Sequence, residues 1–64
     1  MDLTPEVIKT VQRYLNLLNL NAGEVDGIPG SKTYTALNKL PGLKASWSNE
    51  RKFFAAIQLY AKHE

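Results

Sequence analysis

The run Thr4-Pro5-Glu6-Val7-Ile8-Lys9-Thr10-Val11-Gln12-Arg13-Tyr14-Leu15-Asn16-Leu17-Leu18, continued by Asn19-Leu20-Asn21-Ala22-Gly23-Glu24-Val25-Asp26-Gly27-Ile28-Pro29-Gly30, decides the fold. Its first part reads as a helix. Thr4 is a good N-cap, Pro5 suits the first helical position, where no N–H is needed, and Glu6 meets the positive end of the helix dipole. Val7, Ile8, Val11, Leu15 and Leu18 recur with the 3.6-residue period of a helix buried along one face, and Tyr14 and Leu17 widen that stripe. Lys9, Arg13 and Asn16 then fall on its outer face. The spacing predicts a helix over about 4–20, stopped by Asn19, Asn21 and Gly23, residues that tolerate the left-handed conformation of a helix C-terminus. The second part, 21–30, holds three of the four glycines in the chain. Its flanks are too short for paired strands, so it reads as an ordered loop with Val25 and Ile28 pointing inward.

Two more helices follow. Ser31 can cap one over 31–40 with Tyr34, Leu37 and Leu40 on one face, and Pro41-Gly42 ends it, because the residue before a proline is pushed out of the helical region. Ser46 or Ser48 can cap another over 48–62, in which Phe53, Ile57 and Tyr60 share a face beside Phe54 and Ala61, with Trp47 at its start. Phe53 and Ile57 are assigned to the core. No segment alternates as a strand would. The expected fold class is therefore all-α: a single domain over 1–64, built as a three-helix bundle with a structured Gly-rich loop between the first and second helices.

Composition narrows the function. A chain of 64 residues buries only about 60% of the surface its unfolded form exposes, so its stability margin is thin. With no cysteine, neither a disulfide nor a thiolate metal site can help. His63 is the one histidine, so no zinc cluster, and no metal or cofactor, is expected. No apolar run approaches the roughly 18 residues of a membrane span. The start, Met1-Asp2-Leu3-Thr4-Pro5-Glu6, carries acid and proline where a secretory signal carries Lys, Arg and an apolar core, so the product is expected to be made in the cytoplasm. The net charge of +2 is unevenly spread: residues 1–30 set two cations against four acids, and residues 31–64 set six cations against two. That asymmetry suits a polyanionic partner; the plainer reading is a solvated Lys-rich surface.

No catalytic set is legible. Glycoside hydrolysis needs two carboxylates facing one another at roughly 5–9.5 Å. Asp2, Glu6 and Glu64 lie near the chain ends, Glu50 at a helix start, and Glu24 and Asp26 close together on a loop of a domain too small for a deep cleft. Nor is there a nucleophile–base pair. The chain is expected to be a non-catalytic module.

Within residues 7–40 the sequence has the outline L-Q-x-x-L, from Val11-Gln12-Arg13-Tyr14-Leu15, then V-D-G-x-x-G-x-x-T-x-x-A-L, from Val25 to Leu37. This half of the chain resembles the peptidoglycan-binding domain family, small three-helix modules attached to bacterial and phage cell-wall hydrolases. The continuation Ala36-Leu37-Asn38, with an arginine and aromatics in the last helix, is similar to the variant appended to some phage-type muramidases. The resemblance implies a monomeric module that binds the glycan strand or stem peptide of peptidoglycan. It would hold a covalently linked catalytic domain at the bacterial cell wall. The missing secretory signal fits a phage lysin released through a membrane lesion, and the helical character of Tyr60-Ala61-Lys62-His63-Glu64 suggests a piece of a longer enzyme. The chain departs from the pattern at Pro29, where the family usually carries an aromatic residue.

The motif residues also have a direct physical reading. Asp26 can accept bonds from loop amides, Gly27 and Gly30 permit a positive φ or close backbone approach, and Thr33 can tie its hydroxyl back to the loop. Gln12, on the border of the buried stripe, must have its amide satisfied, and the 24–30 backbone is the expected partner. Tyr14, Tyr34, Trp47 and Tyr60 are the candidates for stacking on a sugar ring, although core packing claims most aromatics in so small a bundle. Ser31, Lys32, Tyr34, Trp47 and Arg51 are expected to line a shallow groove at the start of the second helix, where amides and hydroxyls suit ligand oxygens.

Two other classes compete. A helix-turn-helix nucleic-acid binder fits three helices and a third helix bearing Arg51, Lys52, Gln58 and Lys62. Against it, that helix spends Phe53, Phe54, Ile57 and Tyr60 on apolar contact, and the first connection is longer than a typical turn. An adaptor domain would be supported by Trp47 exposed in a patch with Phe54.

Overall fold

The computed structural model describes residues 3–63, so Met1, Asp2 and Glu64 lie outside it. Three helices make up the fold: α1 (Pro5–Leu17), α2 (Ser31–Lys39) and α3 (Asn49–His63). No strand occurs among the described residues, and the helices pack on one another as an all-α three-helix bundle.

Helix α1 opens on its cap: the Val7 N–H donates to Thr4 Oγ1 at 3.3 Å, with Pro5 in the first turn. Its end falls at Leu17, short of residue 20, and the cause is local. Asn19 adopts φ 60°, the left-handed conformation that turns the chain. The Asn19 N–H then donates to Asn16 O and the Leu20 N–H to Leu15 O, both at 3.0 Å, which completes a Schellman cap. Asn21, again at φ 60°, and Gly23, at φ 85°, bend the loop further.

Helix α2 is not capped by Ser31. Gly30 occupies the N-cap position without a side-chain bond, and Ser31 is the first helical residue. The helix closes one residue before 40, because Leu40 precedes Pro41 and takes an extended conformation (φ −69°, ψ 124°). For α3 the cap is Ser48: its Oγ accepts from the Arg51 N–H at 3.2 Å.

Val11 and Leu15 from α1, Ala36 and Leu37 from α2, and Phe53 and Ala56 from α3 are shut off from solvent and form the centre of the core. Each large side chain so buried contributes about 1.5–3 kcal/mol. Leu40 and Ala22 close the core at its ends, and Ile57, Leu59 and Leu18 pack on its margin. Tyr14 is buried and meets Tyr60 with ring centroids 5.4 Å apart; Tyr34 and Phe53 form a T-shaped pair at 6.0 Å. Lys52, buried in α3, sends its ammonium to Asn38 Oδ1 at 2.6 Å and so ties α3 to α2. Among the described residues, no helix is long and apolar enough to cross a membrane.

Candidate binding groove

Past the Schellman cap, the 21–30 connection has neither helix nor strand to pair its backbone groups, so side chains must do so. Gln12, only 1% exposed in the middle of α1, is the partner of three of these groups. Its Oε1 accepts from the Asp26 and Gly27 N–H groups at 3.1 and 3.0 Å. Its Nε2 lies within 3.2 Å of Asp26 Oδ1, 3.3 Å of Ile28 O and 3.2 Å of Thr33 Oγ1. One amide thereby holds the loop to α1 and to the first turn of α2. Asn16, one turn further along the same face, repeats the device: its Oδ1 accepts from the Ala22 N–H at 2.8 Å and its Nδ2 donates to Gly23 O at 3.0 Å.

The remaining motif residues fit around this pair. Asp26 Oδ1 also accepts from the Ile28 N–H at 2.9 Å, the short Asx-type bond that makes Asp favourable in a turn. That backbone bond, helped by Gln12, holds the Asp26 carboxyl below the usual carboxylate range, and desolvation opposes it only in part. The Thr33 hydroxyl donates to Ala22 O at 3.3 Å while accepting from Gln12, so it locks α2 to the start of the loop. Gly27 is required twice over. Its φ is +77°, and an added Cβ would lie 3.1 Å from the Pro5 carbonyl oxygen. Gly30 is different: at φ −110° with open space around it, any residue could stand there.

Between the loop and the N-terminal turn of α2 lies an open groove of about 680 Å³, walled by Asn16, Glu24, Asp26, Ile28, Ser31, Lys32 and Thr33. One wall carries carboxylates, and the other carries Lys32 and the start of α2, whose N-cap has no side-chain bond. Polar groups line most of it, and Ile28, 70% exposed, stands at its edge as an apolar contact.

The expected five-residue site is divided by the structure. Ser31 and Lys32 line the groove. Tyr34, about 100° round the helix from Thr33, is half-buried against Phe53 of α3 and does not line the groove. Trp47 and Arg51 do not line the groove either; they pair with each other, the guanidinium 4.4 Å from the indole centroid. Trp47 and Phe54 are both half-buried, as is Val25. Ile28 does not point inward as its apolar character suggests, because its backbone N–H and C=O take the bonds to Asp26 and Gln12 and turn its side chain to solvent. Asn16, assigned by periodicity to the outer face with Lys9 and Arg13, belongs to the groove. Its spacing of four from Gln12 is the signal that places the two amides on one side of the helix.

Among the described residues no group of three His, Asp or Glu side chains comes together as a metal site would require. Comparison of the chain with protein-family models, with curated proteins and with solved structures returned no match.

Proposed function

We propose that this three-helix module is a non-catalytic peptidoglycan-binding domain that takes its ligand in the groove between the 21–30 loop and α2. The observation that carries the reading is the assembly around Gln12. Asp26, Gly27 and Thr33, three of the four polar and glycine positions of the V-D-G-x-x-G-x-x-T stretch, bond to its side chain; Gly30 does not. In this reading they are the frame of the site, and the ligand meets Ser31, Lys32 and Ile28 on the exposed rim. The free amides of the α2 N-terminus and the Lys32 ammonium suit carboxylate and carbonyl oxygens of a stem peptide, and Ile28 suits an apolar face. An open groove buries little area, so a single module binds weakly. Its use is to raise the local concentration of a catalytic domain joined to it at the bacterial wall.

Co-sedimentation with purified, protein-free sacculi tests the proposal, run beside a DNA gel shift in graded salt. Pelleting with sacculi and no salt-dependent shift is the expected result. The reverse pattern selects the helix-turn-helix reading. In an NMR titration with muropeptide fragments, amide shifts are expected at Ile28, Ser31 and Lys32. Shifts confined to Lys9 and Arg13 would remove the groove from the site.

A further inference from the structure

The groove does not end at Lys32. A Cβ added at Gly23 would lie 3.3 Å from Lys32 Cδ and 3.6 Å from Lys32 Cβ, so the stem of this lysine rests against the loop. Beside it is a smaller hollow of about 150 Å³, lined by Leu20, Asn21, Ser31, Lys32, Thr35 and Lys39. Asn21, Ser31 and Lys32 line both spaces, which makes groove and hollow one continuous surface. Its two parts carry opposite charge. Glu24 and Asp26 line the groove but not the hollow, Lys39 lines the hollow but not the groove, and Lys32 belongs to both. Lys32 and Lys39 are seven residues apart, so they lie on one side of α2, about 10.5 Å apart along its axis. Among the described residues neither lysine has a carboxylate within 4 Å, so the two signs do not cancel inside the site. No aromatic side chain of the described residues lines either space.

We propose that groove and hollow together bind a zwitterionic peptide, its ammonium facing Glu24 and a carboxylate lying between Lys32 and Lys39. The inference rests on the peptidoglycan reading above and narrows its ligand to a stem peptide that carries the free amino group of a diamino acid, as opposed to the glycan strand. The lining itself selects this class. A sugar ring asks for an aromatic face to stack on, and none is offered. A polyanion would have to lie against Glu24 and Asp26, and a polycation against Lys32 and Lys39. A peptide bearing both charges meets each with its opposite, while the Ser31 and Thr35 hydroxyls and the Asn21 amide suit its carbonyl and N–H groups. Glu24, Lys32 and Lys39 are exposed, so each charge pair adds only a small factor to affinity, and selectivity comes from the ligand having both.

The test is an NMR titration of the intact chain with three probes: an N-acetylated alanyl-γ-glutamyl-lysyl-alanine tetrapeptide, the same peptide acetylated on its lysine side chain, and chitotetraose. The free-amine peptide is expected to shift the amides of Glu24, Lys32 and Thr35 saturably, and chitotetraose to leave them unmoved. Acetylation of the lysine should weaken binding about three-fold, and in Glu24→Gln that ratio should fall to about one. Lys39→Gln should weaken both peptides alike, by about two-fold. Both substituted positions are exposed, and circular dichroism of the variants is expected to match the wild type. Equal affinity of the wild type for the two peptides, undiminished discrimination in Glu24→Gln, or saturable shifts at these amides with chitotetraose overturns the inference. Co-sedimentation of the same preparation with sacculi keeps the two levels apart. Pelleting without discrimination between the peptides removes this inference and leaves the wall-binding reading standing, whereas failure to pellet removes both.

Discussion

Gln12 and Asp26 are bonded to each other in both directions. The Gln12 Nε2 donates to Asp26 Oδ1 at 3.2 Å, and Gln12 Oε1 accepts from the Asp26 N–H at 3.1 Å. This reciprocal pair fastens the centre of a helix to the turn of a loop 14 residues away in sequence. The groove exists because that connection is stiff, and the consequences can be measured by substitution.

Gln12→Leu fills a similar volume but strands the Asp26 and Gly27 N–H groups and the Ile28 carbonyl. It is expected to cost about 2–4 kcal/mol, more than one hydrogen bond, because several partners lose satisfaction together. Gln12→Glu is the sharper variant. It keeps the acceptor for Asp26 and Gly27 but replaces the donating amide with a carboxylate facing Asp26, so it should destabilise at pH 7 and recover partly as the pH is lowered. Urea denaturation at two pH values reads both effects.

Asp26 sets a pH dependence with a definite sign. The bond from the Ile28 N–H, followed by that from Gln12, depresses its folded-state pKa. A depressed carboxyl contributes stability that is present above its unfolded pKa and lost as the pH falls through the folded value. The wild type should therefore lose melting temperature as the pH drops below roughly 4. Asp26→Asn should flatten that part of the profile and start from a lower plateau at pH 7. A profile for Asp26→Asn parallel to wild type would show that other carboxyls carry the acid sensitivity.

The two motif glycines should behave differently. Gly27→Val puts a β-branched residue at φ +77° and a Cβ about 3.1 Å from the Pro5 oxygen, and is expected to cost about 2–3 kcal/mol or to prevent folding. Gly30→Ser places a capping hydroxyl at the uncapped start of α2, where nothing lies within 4 Å of a Cβ, and should be neutral or stabilising by a few tenths of ~1 kcal/mol. Thermal melts of the two variants side by side decide the point.

Thr33→Val keeps shape at a position 2% exposed and removes the hydroxyl shared by Gln12 and Ala22. A loss of about 1–2 kcal/mol is expected, since the Ala22 carbonyl is then left without its donor. Hydrogen exchange should quicken at Ala22 and Gly27 before it does in α3. Unchanged stability with lost sacculus binding would instead make Thr33 a ligand contact.

Lys52 tests how a buried cation is tolerated. Lys52→Met retains the apolar stem and gives up only the bond to Asn38, an exposed residue that water can satisfy, so the change should stay within about 1 kcal/mol. Lys52→Ala loses the stem as well and should cost more than Lys52→Met. Equal losses in the two would mean that the ammonium, and not its packing, ties α3 to α2.

Local rules made the three helices legible from the chain alone, because caps, 3.6-residue periodicity and the Leu40–Pro41 junction act within a few residues of one another. They also singled out Gln12, Asp26, Gly27 and Thr33 as a set, since a buried amide must find partners and a Gly-rich loop has backbone groups to offer. Periodicity could not tell how α1 closes: a Schellman cap at Asn19 depends on backbone angle, and the hydrophobic stripe runs past it through Leu18 and Leu20. Nor could residue type say which way Ile28 faces. An apolar residue in a loop suggests burial, but Asp26 and Gln12 claim its backbone, and that choice turns the side chain out. Which of Ser31, Lys32, Tyr34, Trp47 and Arg51 stand together was likewise a matter of packing, for it depends on the azimuth at which α3 meets α2. The T-shaped contact of Tyr34 with Phe53 fixes that azimuth and leaves Trp47 and Arg51 to each other.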